Sequence, residues 1–152
     1  MVLGRVGSEA RGAMDTDDRS GKRLHGAWRL EAMEHRLRDG PWEAARPVSG
    51  RILYDAAGFV AVVIIVHQPD GGLPENPAGD ECIAYSGRYE LADGVVRHHV
   101  DVSFHTSWVG ATQERSVELD GDQLVLVTAP FESRSGPRQS RLRWVRERGG
   151  AK

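Results

Sequence analysis

From Leu24 onward the chain is a succession of short segments that alternate apolar and polar residues, each cut from the next by a turn signal. A period of two places successive side chains on opposite faces of a strand, so the pattern predicts strands with one covered face. Eight segments read this way: Gly26–Leu37, Gly50–Asp55, Phe59–His67, Tyr85–Leu91, Val95–Phe104, Thr112–Leu119, Gln123–Thr128 and Ser140–Arg146. Ala56-Ala57-Gly58, Ala92-Asp93-Gly94 and Asp120-Gly121-Asp122 are tight connections between neighbours. Gln68–Asp80, with three prolines, and the polar stretch Ala129–Gln139 are read as loops. Few segments are apolar on both faces, which favours one closed sheet over a sandwich. The predicted fold is therefore all-β: an eight-stranded antiparallel up-and-down barrel, wide enough for one small ligand in an internal cavity and free of open edges.

One segment breaks the pattern. Within Phe59–Val66, Val60, Val62 and Ile64 cover one face while Phe59, Ala61, Val63 and Ile65 cover the other. That outer face calls for a cover: a loop, the N-terminal segment or a second subunit, so a homodimer is a possible arrangement. Residues 1–23 show no apolar period and read as a flexible extension, 24–147 as the barrel, and 148–152 as a flexible tail.

At 152 residues the chain suits one domain that buries roughly 68–70% of its unfolded surface. Its 20 basic and 22 acidic residues leave a net charge of −2, with no surplus to hold a nucleic-acid backbone. The apolar run Phe59–Val66 is far short of the roughly 20 residues that span a bilayer as a helix, and the N-terminus lacks the apolar core of a secretion signal. Neither nucleic acid nor membrane is expected as a partner, and the expected compartment is the cytoplasm. Cys82 is the one cysteine, no Cys/His spacing suits zinc, and no nucleophile-elbow, phosphate-loop or dinucleotide motif is present. No metal and no cofactor are expected.

The same alternation places several polar residues inside. Val117 and Leu119 share a face, so Gln113 and Arg115 lie on it too. Two readings of Arg115 stand: it pairs with Glu34 and plugs one end of the barrel, or its planar fork binds a carboxylate, enolate or phenolate. Glu34 follows Trp28, Leu30 and Ala32 at period two. Facing inward among apolar groups it would have a raised pKa and act as general acid or base; paired with Arg115 its pKa would fall. A bulge after Ala32 would instead turn it outward. His98 lies between Val96 and Val100, either as a hydrogen-bonded core residue or as a proton shuttle. Arg115, Glu34 and His98 are the catalytic candidates. Gln113, Tyr54, Tyr85 and Tyr89 on inward faces, with His105 and Trp108 near a strand end, are the ligand-binding candidates. Trp28 and Trp144 read as floor packing.

The opening Leu24-His25-Gly26-Ala27-Trp28-Arg29-Leu30 is similar to the start of lipocalin-like barrels. Gly50–Gly58, Tyr85–Glu90, His98-His99-Val100, Trp108-Val109-Gly110, Arg115 and Leu119–Leu124 follow in an order that resembles the bacterial lipocalin-like domain family over roughly Leu24–Arg146. The resemblance implies a small calycin-like barrel with a cavity, in a group that includes both carriers and natural-product cyclases or isomerases.

Two functions follow as expectations. One is a cofactor-independent isomerase, cyclase or dehydratase that uses acid–base catalysis on a small hydrophobic or aromatic metabolite. The alternative is a non-catalytic small-molecule carrier; a third possibility is an interaction protein whose inward charges merely pair. What separates them is whether His98 or Glu34 faces open cavity or is satisfied by a core partner.

Overall fold

The computed structural model describes residues 21–75, 79 and 81–149. Its strands are β1 (Gly26–Leu37), β2 (Glu43–Ala44), β3 (Val48–Tyr54), β4 (Phe59–Val66), β5 (Cys82–Ala92), β6 (Val95–Ser103), β7 (Thr112–Asp120), β8 (Gln123–Thr128), β9 (Phe131–Ser133) and β10 (Gly136–Glu147). Short 3-10 turns occupy Lys22–Leu24 and Thr106–Trp108.

Eight of these strands, in the order β1-β3-β4-β5-β6-β7-β8-β10, form one antiparallel sheet, and β10 pairs back onto β1 to close it. The barrel expected from alternation is therefore the fold. β2 and β9 are short additions on β1 and β10. The largest departures from the expected boundaries are two. The stretch read as a polar loop, Ala129–Gln139, contains β9 and the start of β10, paired Phe131↔Arg138 and Ser133↔Gly136. β5 starts at Cys82, ahead of Tyr85, because its first residues pair with the end of β4.

Turn chemistry holds the register. Asp55 Oδ1 accepts the backbone N–H groups of Ala57 at 3.0 Å and Phe59 at 2.8 Å, folding the β3–β4 connection over its own side chain. Asp93 and Gly94 take φ of 55° and 75°, the pair of positive values a two-residue hairpin needs. At Gly87, beside a bulge in the β5–β6 pairing, a Cβ would stand 1.8 Å from the His99 carbonyl oxygen, so only glycine fits.

Val60, Val62, Ile64 and Val66 of β4 point inward, while Phe59 and Val63 stay 43% and 50% exposed outside. The turns at 55–58, 93–94 and 121–122 gather at one end of the barrel, and the Lys22–Leu24 turn covers it. Residues 21–23 thus belong to the folded unit, a correction to the expected extension; residues 1–20 lie outside the described residues. Of the expected tail, Arg148 donates to Asp122, and residues 150–152 lie outside the described residues. Among the described residues no helix is long and apolar enough to cross a membrane.

Candidate functional site

The opposite end, ringed by residues 38–47, 67–75, 79, 104–111 and 129–135, opens into a cavity of about 1150 Å³. Ile64, Val62, Leu126 and Leu142 supply apolar wall, and β1, β5, β6, β7, β8 and β10 carry the polar groups set into it.

A bulge decides what β1 contributes. The β1–β10 register shifts between Leu30 and Ala32, so Trp28 and Leu30 face inward before it and Met33 and His35 face inward after it. Glu34 is thereby turned to the outer face, where it accepts from Arg141 Nε at 2.7 Å and Arg143 Nε at 3.1 Å. The Arg141 hydrogen bond, aided by both positive charges, holds its carboxyl below the usual range against the opposing effect of partial burial. An inward Glu34, and a Glu34–Arg115 pair, are both corrected: one extra residue in the strand inverts every later facing. His35 takes the place alignment without a bulge would give to Glu34. Its Nδ1 lies 2.9 Å from Ser140 Oγ, and burial, with the nearby Arg138 charge, pulls its pKa below the ordinary value.

His98 does face inward and is 1% exposed. Tyr54 Oη lies 2.7 Å from its Nε2 and Tyr85 Oη 2.6 Å from its Nδ1. A neutral imidazole has one N–H and one lone pair, so one tyrosine accepts from the ring while the other donates to it. Burial pulls the His98 pKa down to about 3, with the positive charge of Arg115 acting in the same direction. Desolvation also raises the Tyr54 and Tyr85 hydroxyls above their ordinary value. The ring is neutral and saturated.

The tyrosines divide. Tyr85 lines the cavity. Tyr54 and Tyr89 do not: they pack edge to face at 4.8 Å toward the covered end, and Tyr89 Oη donates to the Asp55 carbonyl at 3.0 Å. Burial, with Asp55 nearby, pushes the Tyr89 pKa up to about 12. Alternation placed all three inward correctly, but their level along the barrel removes Tyr54 and Tyr89 from the expected ligand contacts. His105 and Trp108 stand at the mouth as expected, stacked at 4.6 Å, with His105 Nε2 donating to the Cys82 carbonyl at 2.9 Å.

Arg115 and Gln113 both line the cavity. The Arg115 guanidinium donates to the Glu114 carbonyl at 2.9 Å and, at 3.5 Å, to Gln113 Oε1. Among the described residues it forms no ion pair with a carboxylate, and neither does Arg138, which also lines the cavity. By contrast Arg46 at the mouth is paired with Glu81 at 2.9 Å. Arg138 was missed because the last strand was begun at Ser140; its inward face of Ser140, Leu142 and Trp144 extends back to 138 at the same period. Trp144, expected only as packing, is 2% exposed and is among the residues around the cavity, and among the described residues its buried Nε1–H has no hydrogen-bond partner. The site can therefore offer an anion two guanidinium forks against an apolar wall.

Over 54 residues the chain is 41% identical to the 4'-hydroxy-3'-methoxypropiophenone carrier protein of Aspergillus oryzae, a match covering 30% of this chain and 49% of that protein. The chain thus spans about half the length of this curated relative. Among solved structures, a lipocalin-like protein from Bacteroides uniformis aligns with a TM-score of 0.46 at 17% identity, over 82% of this chain and 99% of that one. Rhizavidin aligns with a TM-score of 0.38 at 13% identity, over 84% and 86%. Residues 25–147 match the lipocalin-like domain family, and the chain belongs to that family.

Proposed function

We propose that the barrel binds, without transforming it, a small and mainly apolar molecule that carries an anionic oxygen, with Arg115 as the anchor and Arg138 at the mouth. The observation that carries this reading is a guanidinium in the wall of an apolar cavity with no carboxylate partner among the described residues. A cation in such a place is poorly compensated until an anion arrives, and its planar fork fits a carboxylate or phenolate in two-point contact.

Turnover has less support. Glu34 is outside the barrel, and His98 is held neutral between two hydroxyls. Acid–base work would fall to Tyr85, whose burial favours keeping its proton at neutral pH, or to His35, whose Nδ1 is engaged by Ser140 Oγ. The fungal relative's name, a carrier of a substituted propiophenone, is in line with binding.

Calorimetric titration with 2-naphthoate and its neutral methyl ester at pH 7 tests the reading. The acid is expected to bind more tightly than the ester, and Arg115→Met to weaken the acid by about ten- to a hundredfold while sparing the ester, the usual range for a hydrogen bond to a charged group. Equal binding of acid and ester, or an acid affinity indifferent to Arg115→Met, would remove the anchor.

A further inference from the structure

We infer that His35 and Arg138 form a second anion site at the mouth of the cavity. The ligand is then an apolar molecule with two carboxylates, and the second carboxylate binds together with a proton taken up by His35. The inference rests on the anion-binding reading of Arg115 and adds the ligand's other charged group.

The β1 bulge is what brings His35 to the inner face. There it lies opposite Ser140 of β10, and Arg138, opposite Leu37, is its diagonal neighbour on that face. Diagonal neighbours in a sheet are about 7–8 Å apart, within reach of a long side chain. His35 Nδ1 is held 2.9 Å from Ser140 Oγ. Its Nε2 has no partner among the described residues and, unlike His25 Nε2, is not sealed in, so it is open to the cavity that His35 lines. Arg138 lines the same cavity and forms no ion pair among the described residues. A guanidinium beside a chargeable imidazole, with no carboxylate between them, is completed by an anion.

The two arginines act on different surroundings. The positive charge of Arg115 is felt by His98, Tyr54 and Tyr85, and that of Arg138 by His35. One carboxylate satisfies one of these neighbourhoods; satisfying both takes two, on a body apolar enough for Leu126 and Leu142.

Burial and then the Arg138 charge keep the free His35 ring neutral at pH 7. A carboxylate beside Arg138 offsets that charge and favours the imidazolium, which donates from Nδ1 to Ser140 and from Nε2 to the carboxylate. The ring's pKa is thus higher in the complex than in the free protein, so affinity rises as the pH falls between the two values. Also packed around the ring are Thr128 of β8, which accepts the Ser140 N–H, and Glu43, its exposed register partner on β2. Glu34 and Arg36 of its own strand face outward, bonded to Arg141 and Gln139, and Arg46 beyond β2 pairs with Glu81.

The probes are the 2,3-, 2,6- and 2,7-naphthalenedicarboxylates, each titrated calorimetrically into the full chain beside its monomethyl ester; the series samples the separation of the two carboxylates. At pH 6.5 at least one diacid is expected to bind wild type about tenfold tighter than its monoester, the lower range for a hydrogen bond to a charged group. That gain should widen by about threefold or more from pH 8 to pH 6. Titration in two buffers of unlike ionisation enthalpy should count more protons taken up with the diacid than with the monoester. Arg138→Met should erase the gain. His35→Gln should reduce it and abolish its pH dependence, while Glu43→Gln should leave both in place. If His35→Gln folds poorly, the His35 ring C–H resonance of wild type serves: the diacid should move it downfield toward the charged position, and the monoester should not. No gain for any diacid, a gain without extra proton uptake, or a gain that survives Arg138→Met overturns the second site. An Arg115-dependent affinity for the monoesters would then leave the first reading standing. Failure of every diacid and monoester to bind wild type overturns both.

Discussion

The two ends of the barrel are built from similar residues and finished differently. At the covered end Trp28 is fully buried, its N–H is met by Leu24, and the Arg146 guanidinium lies 4.2 Å over its ring. Arg146 in turn donates to the carbonyls of His25 at 2.7 Å and Arg23 at 2.9 Å and pairs with Asp122 at 3.2 Å, so one side chain ties the first turn to the last strand. Among the described residues His25 Nε2 there has no hydrogen-bond partner. At the open end the stock is again arginine, tryptophan and histidine, but Arg115 and Arg138 line the cavity and form no ion pair among the described residues. The contrast separates stability from recognition: one end uses its polar groups to hold the chain together, the other keeps them for something that enters.

The largest expected effect falls on the covered end. Trp28→Ala removes a fully buried indole, its hydrogen bond to Leu24 and the surface under Arg146, and should lower unfolding free energy by about 3–5 kcal/mol in urea titration. Trp108→Ala at the mouth, partly exposed and held by stacking on His105, should cost about 1 kcal/mol or less. Comparable losses at the two positions would erase the division between a structural end and a receptive one.

His98 lies between them and is assigned here to the structural side. Its folded pKa of about 3 is below the unfolded value near 6.5, so between those values the unfolded chain binds a proton that the folded chain refuses. Stability from this group is therefore complete above pH 6.5 and falls as the pH drops toward 3, with a slope approaching about 1.4 kcal/mol per unit. His98→Gln keeps a donor and an acceptor between the tyrosines but cannot titrate. Stability measured from pH 7 to 4.5 should decline less steeply in this variant than in wild type. Identical slopes would show that the folded ring takes up a proton as readily as the unfolded one, and would move His98 back toward proton transfer.

Most of the barrel is legible in the residues because alternation and turn chemistry are local. Val60, Val62 and Ile64 point inward for the same reason in the sequence and in the fold, and Asp93-Gly94 adopts the backbone its composition favours. Arg115, Gln113 and His98 face inward on the same argument. What alternation cannot carry is a count that changes within a strand. The bulge near Ala32 leaves no mark in the apolar pattern, since Ala32 and Met33 are both acceptable inside; it exchanges Glu34 for His35. Depth along the barrel is likewise a matter of register between distant strands, and it sends Tyr54 and Tyr89 to the covered end while leaving Tyr85 in the cavity. The unmet Trp144 N–H is a property of its surroundings, and no spacing in the chain announces it.

Glu34 gives the smallest effect and the sharpest check on facing. With its carboxylate between Arg141 and Arg143 on the outer face, Glu34→Gln removes two surface ion pairs that solvent and salt already weaken. The expected loss is under about 1 kcal/mol, shrinking further at 1 M salt, with 2-naphthoate affinity unchanged within about twofold. A glutamate inside the cavity would behave differently. Neutralising it would relieve repulsion of an incoming carboxylate and raise affinity for the acid but not for its methyl ester. Such a gain would place Glu34 inside, restore its pairing with Arg115, and return the open end to the status of a plug.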